Sequence, residues 1–338
     1  MRIRNRMRQA GAILTAVATV ALAACSPADD TPTQPSLTVG LGYIGTVENY
    51  GPYYALHEGL YRDAGLAVDV QPGGNTPPST LLVAGQIDIG VMDAPDMLHA
   101  VEQGADLVAI ATQFQTAPTA MTCRRASNIS TVADLKGHVL GLKGQEQSYL
   151  NMIMQTGGLQ PSDFTVVPVG NSDISPIVAG QVDCLFATYA INDGRAIEAA
   201  GVPVTNISLA ELGLPAQGDV YVTTADTFNN RRDDLTRWVK ATGLAWEKFL
   251  ADPTAAAHYM VDNAFAPGLD LDQQIYQANK QVPFLSTEWT RTRGLLALDP
   301  GVWASTSDQM ARFGMTGSVV DVHPLLHDLA GEAGTARI

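Results

Sequence analysis

Two α/β domains with a helical C-terminal tail are what the sequence predicts, on three observations. Short runs rich in β-branched and apolar residues alternate with stretches of helical periodicity, the grammar of sheets with largely parallel strands. That grammar runs from Leu37 to Phe114 and restarts at Thr119, without a fixed repeat period. From Thr227 onward strands cease, and Leu235, Trp238, Val239, Thr242, Trp246 and Phe249 keep a spacing of three or four. At 338 residues the chain also exceeds the roughly 250–300 that one hydrophobic core organises.

Leu37 to Leu41 reads as the first strand, and a helix follows over about Pro52 to Ala64. Asn49 is placed to cap that helix, Pro52 suits its first turn, and Tyr53, Tyr54 and Tyr61 are expected on its core face. Ala67 to Gln71 is the second strand; Thr76-Pro77-Pro78-Ser79 opens a short helix that ends at Gly85. Ile87 to Met92 and Leu107 to Phe114 are the next strands, with a helix from Ala94-Pro95 between them. In the second half, strands are expected at Thr119–Arg124, Val139–Leu142, Phe164–Val169, Val182–Thr188 and Val202–Ile207, with a helix from about Glu146 to Gln155. Val220 to Thr223 is a further strand, and Asp252-Pro253 caps and opens a helix of the tail. All four Trp lie in that tail, where core packing accounts for them.

Ahead of the first strand, Arg2, Arg4, Arg6 and Arg8 precede an uncharged run from Ala10 to Ala24 that closes on Leu22-Ala23-Ala24-Cys25. A basic start, an apolar run too short to span a bilayer and a small-small-Cys end predict an export signal (1–24) removed before a lipidated Cys25. The Pro-, Thr- and Asp-rich stretch that follows, residues 25–36 with the lipidated Cys, reads as a tether. The expected location is the extracytoplasmic face of a membrane, in the periplasm or at the cell surface.

The chain carries 20 Lys and Arg against 34 Asp and Glu; loss of the signal removes four Arg and no acid, leaving 16 against 34, a net −18. Such a surface repels phosphate backbones and argues against nucleic acid as a partner. With Cys25 lipidated, Cys123 and Cys184 are left, either bridged, as an oxidising compartment favours, or buried as free thiols.

Gly40-x-Gly42-x-x-Gly45 after a strand, with Asp69 in the next, imitates a dinucleotide fingerprint, but Thr46 to Asn49 separate the glycines from the helix whose amides should meet the phosphates. His323 and His327 would share a helical face, yet no protease-type Glu lies between them, so solvated histidines are the better reading. No Gly-x-Ser-x-Gly elbow is present, and Asp96 with Glu102, or Asp233 with Asp234, read as solvated helix faces. No metal, no cofactor and no catalytic set is expected.

In open α/β sheets ligands bind beyond the carboxyl ends of strands, beside helix N-termini. Those tips carry Tyr43, Glu48, Asn49 and Tyr50 after the first strand, then Asp93, Ala94 and Gln115. In the second half they carry Lys143, Gln145 and Glu146, then Asn171 and Asp173, then Tyr189 and Asn192. The set is aromatic, amide-rich and acidic, with Lys143 its only base. Carboxylates can accept hydrogen bonds from an amino-substituted ring, and Tyr43, Tyr50 and Tyr189 can stack on it; for Asp93 and Asp173 helix capping is the competing role.

Two blocks carry a resemblance: Tyr53-Tyr54-Ala55-Leu56-His57-Glu58-Gly59-Leu60-Tyr61-Arg62-Asp63-Ala64-Gly65-Leu66 and Leu82-Val83-Ala84-Gly85-Gln86-Ile87-Asp88-Ile89-Gly90. With Val132 to Gly141 and Val178 to Asp183, the chain from about Leu37 to Asp262 resembles ABC-transporter substrate-binding proteins for thiamine pyrimidine precursors, sulfonates, taurine and nitrate. The resemblance implies a type II periplasmic-binding fold, with two α/β domains closing on a ligand in the cleft between them and a membrane permease as partner. It implies crossings near 115–118 and 215–218, hence a split domain 1 (37–116 and 217–338) and an inserted domain 2 (117–216). It would also put Cys123 and Cys184 on neighbouring antiparallel strands, and a monomer is expected.

A fungal thiamine-pyrimidine synthase of the same family consumes its own histidine and carries a cysteine-rich run. Here Asn49 takes the histidine's place and Pro215 to Tyr221 contains no cysteine, so binding for import is expected, with a secreted enzyme as the rival. An acidic cleft suits an uncharged or amine-bearing heteroaromatic, a thiamine-type pyrimidine first and riboflavin second, over the anions that sulfonate, taurine and nitrate binders hold.

Overall fold

Two five-stranded sheets of the same plan organise the computed structural model, which describes residues 34–143, 147–170 and 173–337. The first sheet uses β1 (Ser36–Gly40), β2 (Ala67–Gln71), β3 (Ile89–Met92) and β4 (Leu107–Phe114). The second uses β5 (Thr119–Arg124), β6 (Val139–Lys143), β7 (Thr165–Val169), β8 (Cys184–Tyr189) and β9 (Val204–Ser208), after which β10 (Gly218–Thr224) returns to the first. Strand order is β2-β1-β3-β10-β4 in one and β7-β6-β8-β5-β9 in the other. In each, four strands run in the same direction and one strand arriving from the opposite lobe is inserted antiparallel between two of them. The restart of the sequence pattern at Thr119 is this duplication of plan.

Strand assignments made from the sequence hold to within two residues, because apolar β-branched runs between turn residues leave little freedom. Helices differ more. The single helix expected over 52–64 is two, Tyr50–His57 and Leu60–Asp63, since Gly59 takes φ 78°, a left-handed conformation that ends the first helix at no steric cost. Asn49 stands at the first helix's N-terminus, but its side-chain amide donates to Ile44 O (3.1 Å) instead of accepting from the helix. His323 and His327 do not share a helical face: the 3₁₀ turn His323–Leu325 ends before His327, whose ring stacks on Phe228 at 4.1 Å.

The helical tail binds the lobes together. Helix Ala225–Ala251 packs Trp238 and Trp246, both fully buried, against the first sheet, while Trp303 of helix Pro300–Phe313 is buried in a core that includes residues of both lobes. The two crossings are tied to each other and to this tail. Ala117 N–H donates to Ala216 O (2.7 Å), and Gln217 Nε2 donates to Gln115 Oε1 (2.9 Å). Gln217 Oε1 in turn accepts from Trp303 Nε1 (2.9 Å).

Cys123 and Cys184 face one another directly across β5 and β8 and are bridged. The bridge closes a sequence separation of 61 residues inside a fully buried cluster. Loop-closure reasoning gives about 4 kcal/mol for that length, and measured disulfide contributions are typically about 2–4 kcal/mol. Replacing both by Ala is expected to lower the urea midpoint accordingly; a change under about 0.5 kcal/mol would assign the stability of β5–β8 to packing alone. Among the described residues no helix is long and apolar enough to cross a membrane. Cys25 and the preceding signal lie outside the described residues.

Candidate functional site

A cavity of about 380 Å³ opens between the two sheets, walled by the ends of β1, β3 and β10 on one side and of β8 on the other. From the first lobe come Gly42, Tyr43, Glu48, Pro78, Val91, Met92, Asp93, Asp96 and Asp219; from the second, Ala187, Tyr189, Asn192 and Asp193. Five of these are acids and, among the described residues, none is a base. The volume is within the range of small-molecule sites, roughly 300–1,000 Å³.

Two strands are bent to reach it. Ala187 in β8 and Asp219 in β10 have φ of 61° and 45°, left-handed values that non-glycine residues rarely take in strands. Each lies near an irregularity of register, in β5–β8 beside Ala120 and in β10–β4 beside Tyr221. The result is that Asp219 and Tyr189 meet across the cleft: Tyr189 OH donates to Asp219 Oδ1 at 3.4 Å. Asp219 Oδ2 accepts from Gln113 Nε2 (3.1 Å), and Asp93 Oδ1 accepts the Asp219 backbone N–H (3.0 Å). Asp93, at the N-terminus of helix Ala94–Glu102, therefore caps nothing; its carboxylate holds β10 instead. A second bridge between lobes runs from Gln273 Nε2 to Asn192 Oδ1 (2.6 Å).

Glu48 sits on a 3₁₀ turn, Val47–Asn49, gripped by one face of helix Leu271–Leu285. Gln274 Oε1 accepts Val47 N–H (2.8 Å), Gln281 Nε2 donates to Val47 O (3.0 Å) and Gln277 Nε2 donates to Glu48 Oε2 (3.2 Å). Gln113 Nε2 reaches Glu48 O at 2.7 Å from the sheet side. Burial, then Asp93, pushes the Glu48 carboxyl up to about 8. Burial also raises Asp93, and holds Asp219 well above the carboxylate range, with the Glu48 and Asp93 charges adding to it. Tyr189 is raised by burial and then by Asp219, so it remains a neutral hydrogen-bond donor.

Of the residues expected from strand tips, the structure brings Tyr43, Glu48, Asp93, Tyr189 and Asn192 to this cavity. Tyr50 is not there: it is buried against Tyr54, Trp246, Phe249 and Tyr259, because the helix starts at Tyr50 and turns that face inward. Gln115 lies on the crossing after β4, its Nε2 donating to Ala297 O (3.0 Å). Ala94 is fully buried, its N–H donating to Gln217 O (3.1 Å), and Asn49 is buried behind the turn. Asp173 is exposed and accepts Ser175 N–H (2.8 Å), a cap of its local turn. Gln145, Glu146 and Asn171 lie outside the described residues, as does the side chain of Lys143.

Sequence reading did not single out Asp219, Gln113 or the glutamines of helix Leu271–Leu285 as parts of the site. The signal was present for the last: Gln274, Gln277 and Gln281 recur at three and four on the face that also carries Ala278 and Leu285, and all three are buried. Amides on an inward helical face need buried partners. The three glycines of the dinucleotide-like motif serve packing. A Cβ on Gly42 would stand 3.0 Å from Val91 O, and one on Gly45 2.9 Å from Phe265 O.

The fold is shared with solved periplasmic binding proteins: the alkanesulfonate-binding protein SsuA of Xanthomonas axonopodis pv. citri superposes with a TM-score of 0.64 at 17% identity, over 86% of this chain and 97% of that one. By sequence, the riboflavin-binding protein RibY of Chloroflexus aurantiacus is 25% identical over 306 residues, 86% of this chain and 84% of that protein. The formylaminopyrimidine-binding protein of Halalkalibacterium halodurans is 19% identical over 234 residues, 68% of this chain and 71% of that one. A 4-amino-5-hydroxymethyl-2-methylpyrimidine phosphate synthase of Saccharomyces cerevisiae is 23% identical over 264 residues, 72% of this chain and 76% of the enzyme. Residues 47–256 match the family described as NMT1/THI5 like, a span that includes Glu48, Asp93, Tyr189 and Asp219. The chain belongs to the NMT1/THI5-like family and has the periplasmic-binding-protein fold.

Proposed function

We propose that the protein is the extracytoplasmic solute-binding component of an ABC importer, tethered through Cys25, that captures a small nitrogen heteroaromatic by closing two domains, 37–116 with 217–338 and 117–216. The observation that carries this reading is a cavity lined from both lobes by tyrosines and carboxyl groups, with no base among the described lining residues. Closure follows when one ligand contacts both walls, since only the closed state gains all its contacts. Two relatives by sequence are named for riboflavin and for a formylaminopyrimidine, and both ligands contain a six-membered ring with two nitrogens. A sulfonate or other anion fits this lining less well, because no base among the described lining residues pairs with it.

The test is a thermal-shift panel on protein starting at Ser36, with riboflavin, thiamine, its hydroxymethylpyrimidine precursor, taurine, an alkanesulfonate and nitrate. Ligand at a hundredfold over its dissociation constant adds about 2.7 kcal/mol and a visible rise in melting temperature. Shifts with ring compounds alone support the reading; shifts with anions alone would replace it by the sulfonate one. Tyr189→Ala is expected to weaken binding of the ring ligand at least tenfold, read by titration, with little change in the ligand-free melting temperature. A collapse of folding instead would make Tyr189 a structural residue.

The similarity to a pyrimidine synthase keeps a secreted enzyme as second reading. It is disfavoured here: the stretch 215–221 has no cysteine, and Asn49, which the resemblance puts in the place of the synthase's histidine, is buried and bound to Ile44 O. Mass spectrometry of ligand recovered after incubation decides between them; a changed mass would favour the enzyme.

A further inference from the structure

We infer that Glu48 engages its ligand as a neutral carboxylic acid, closing a two-bond cyclic pair with the lactam or amidine edge of a ring, so that affinity depends on one proton. This rests on the solute-receptor reading above. Glu48 is 5% exposed yet lines the cavity, and the backbone of its turn is clamped from both sides by Gln274, Gln281 and Gln113, which fixes where the side chain starts. Among the described residues its one side-chain donor is the Gln277 amide on Oε2, at 3.2 Å.

Among the described residues, every titratable group facing Glu48 opposes ionisation or is neutral. Asp93 after β3 and Asp193 from the second lobe add repulsion, the Glu48 charge in turn raises Asp219 in β10, and Tyr43 and Tyr189 are phenols. A buried carboxylate is normally held by two or three donors or by a cation. With one donor and neighbouring acids the proton is retained, consistent with the shift to about 8.

The chemistry of recognition follows. Donation from Gln277 marks Oε2 as the carbonyl oxygen and leaves the hydroxyl on Oε1. A neutral acid then offers one donor and one acceptor in a plane. That matches a lactam, whose C=O accepts and N–H donates, as in a flavin, and equally an amidine edge, whose ring N accepts and amino group donates, as in an aminopyrimidine. An ionised carboxylate has acceptors only and would set a lone pair against the ligand's carbonyl or ring nitrogen. For the amidine, moving the proton from acid to ring leaves the pair's total proton count unchanged, so the pH dependence is the same either way.

The experiment is isothermal titration of wild-type protein with riboflavin and with 4-amino-5-hydroxymethyl-2-methylpyrimidine between pH 6 and 9, each in two buffers of different ionisation enthalpy. Ligand-free melting curves at every pH confirm that the protein stays folded. The expected dissociation constant is level up to about pH 7.5 and rises toward tenfold per pH unit above about 8, with proton uptake approaching one. Glu48→Gln, whose carboxamide also presents one donor and one acceptor, is expected to weaken binding at pH 7 by less than about tenfold and to abolish the rise above pH 8. Weaker binding on acidification, or a loss beyond about a hundredfold in Glu48→Gln with a level wild-type profile, would mean an ionised Glu48 holding a cation and would overturn the pairing while keeping the receptor. Failure of the wild type to bind either probe at any pH would overturn the receptor reading and the pairing together.

Discussion

Raising the pH from 5 to 9 is expected to lower the melting temperature of the ligand-free protein by several degrees. Burial, then Asp93, carries Glu48 from its usual 4.5 up to about 8, and burial raises Asp93 and Asp219 in the same direction. A carboxyl whose pKa is higher folded than unfolded binds more protons in the native state. Its stabilisation is complete below the unfolded pKa and is lost as pH rises through the folded one. For Glu48 that window runs from 4.5 to about 8. At about 1.4 kcal/mol per unit, a loss of a few kcal/mol follows, roughly 5–10 °C for a chain of this size.

Two effects act on the acid side. His327 is lowered by burial, which removes stability as pH falls below its usual 6.5. Asp134, Asp163 and Glu211 are held low by hydrogen bonds from Ser130, Gln160 and Ser208 respectively, contributions lost only as pH falls below their ordinary carboxylate range. Maximal stability is therefore expected near pH 5. Calorimetry from pH 4.5 to 9.5 checks it, and Glu48→Gln should make the alkaline limb shallower, Asp93 and Asp219 keeping the rest. A wild-type profile that is level between 6 and 9 would mean that water in the cleft, not burial, sets these carboxyls.

Trp246→Ala is expected to cost about 3–5 kcal/mol, the range for removing a buried large aromatic. The indole is fully buried, 5.2 Å from the Phe249 ring centroid and 6.2 Å from that of Tyr50. It lies so close to Gly51 that a Cβ there would stand 2.2 Å from Trp246 Nε1, so Gly51 is required for the contact. The consequence reaches the site. Trp246 Nε1 donates to Tyr221 OH (3.2 Å), Tyr221 OH donates to Gln113 Oε1 (3.4 Å), and Gln113 Nε2 holds both Asp219 and Glu48 O. Trp246→Phe keeps most of the packing and deletes the donor, and its expected cost is about 1–2 kcal/mol with a measurable loss of ligand affinity. Urea melts at pH 7 beside titrations give both numbers. A cost under about 1 kcal/mol for Trp246→Ala would show that the neighbouring rings close over the gap.

The residues that sequence reading brought to the cleft, Glu48 on its separate turn excepted, share one property: each lies at or just beyond the end of a strand that the pattern made plain. Asp93 follows β3, Tyr189 ends β8 and Tyr43 follows β1. Tyr50 and Gln115 failed for a common reason, since position along the chain gives nearness to a strand tip but not the direction of the side chain. Tyr50 points into the aromatic core, and Gln115 is taken up by Gln217 and Ala297 O at the crossings.

Taken alone, the sequence determined the α/β class, the strands, the doubling of the plan at Thr119 and the acidic, aromatic character of the tips, because these follow from local periodicity and composition. The family was legible too, in the blocks around Tyr53–Leu66 and Leu82–Gly90. Tertiary structure alone decided that Asp219, from a strand that returns after the second lobe, stands between Asp93 and Tyr189, and that a helix more than 220 residues downstream grips Glu48 through Gln277. Both are contacts of high sequence separation, set by how sheets and tail close on one another, and no local pattern encodes them.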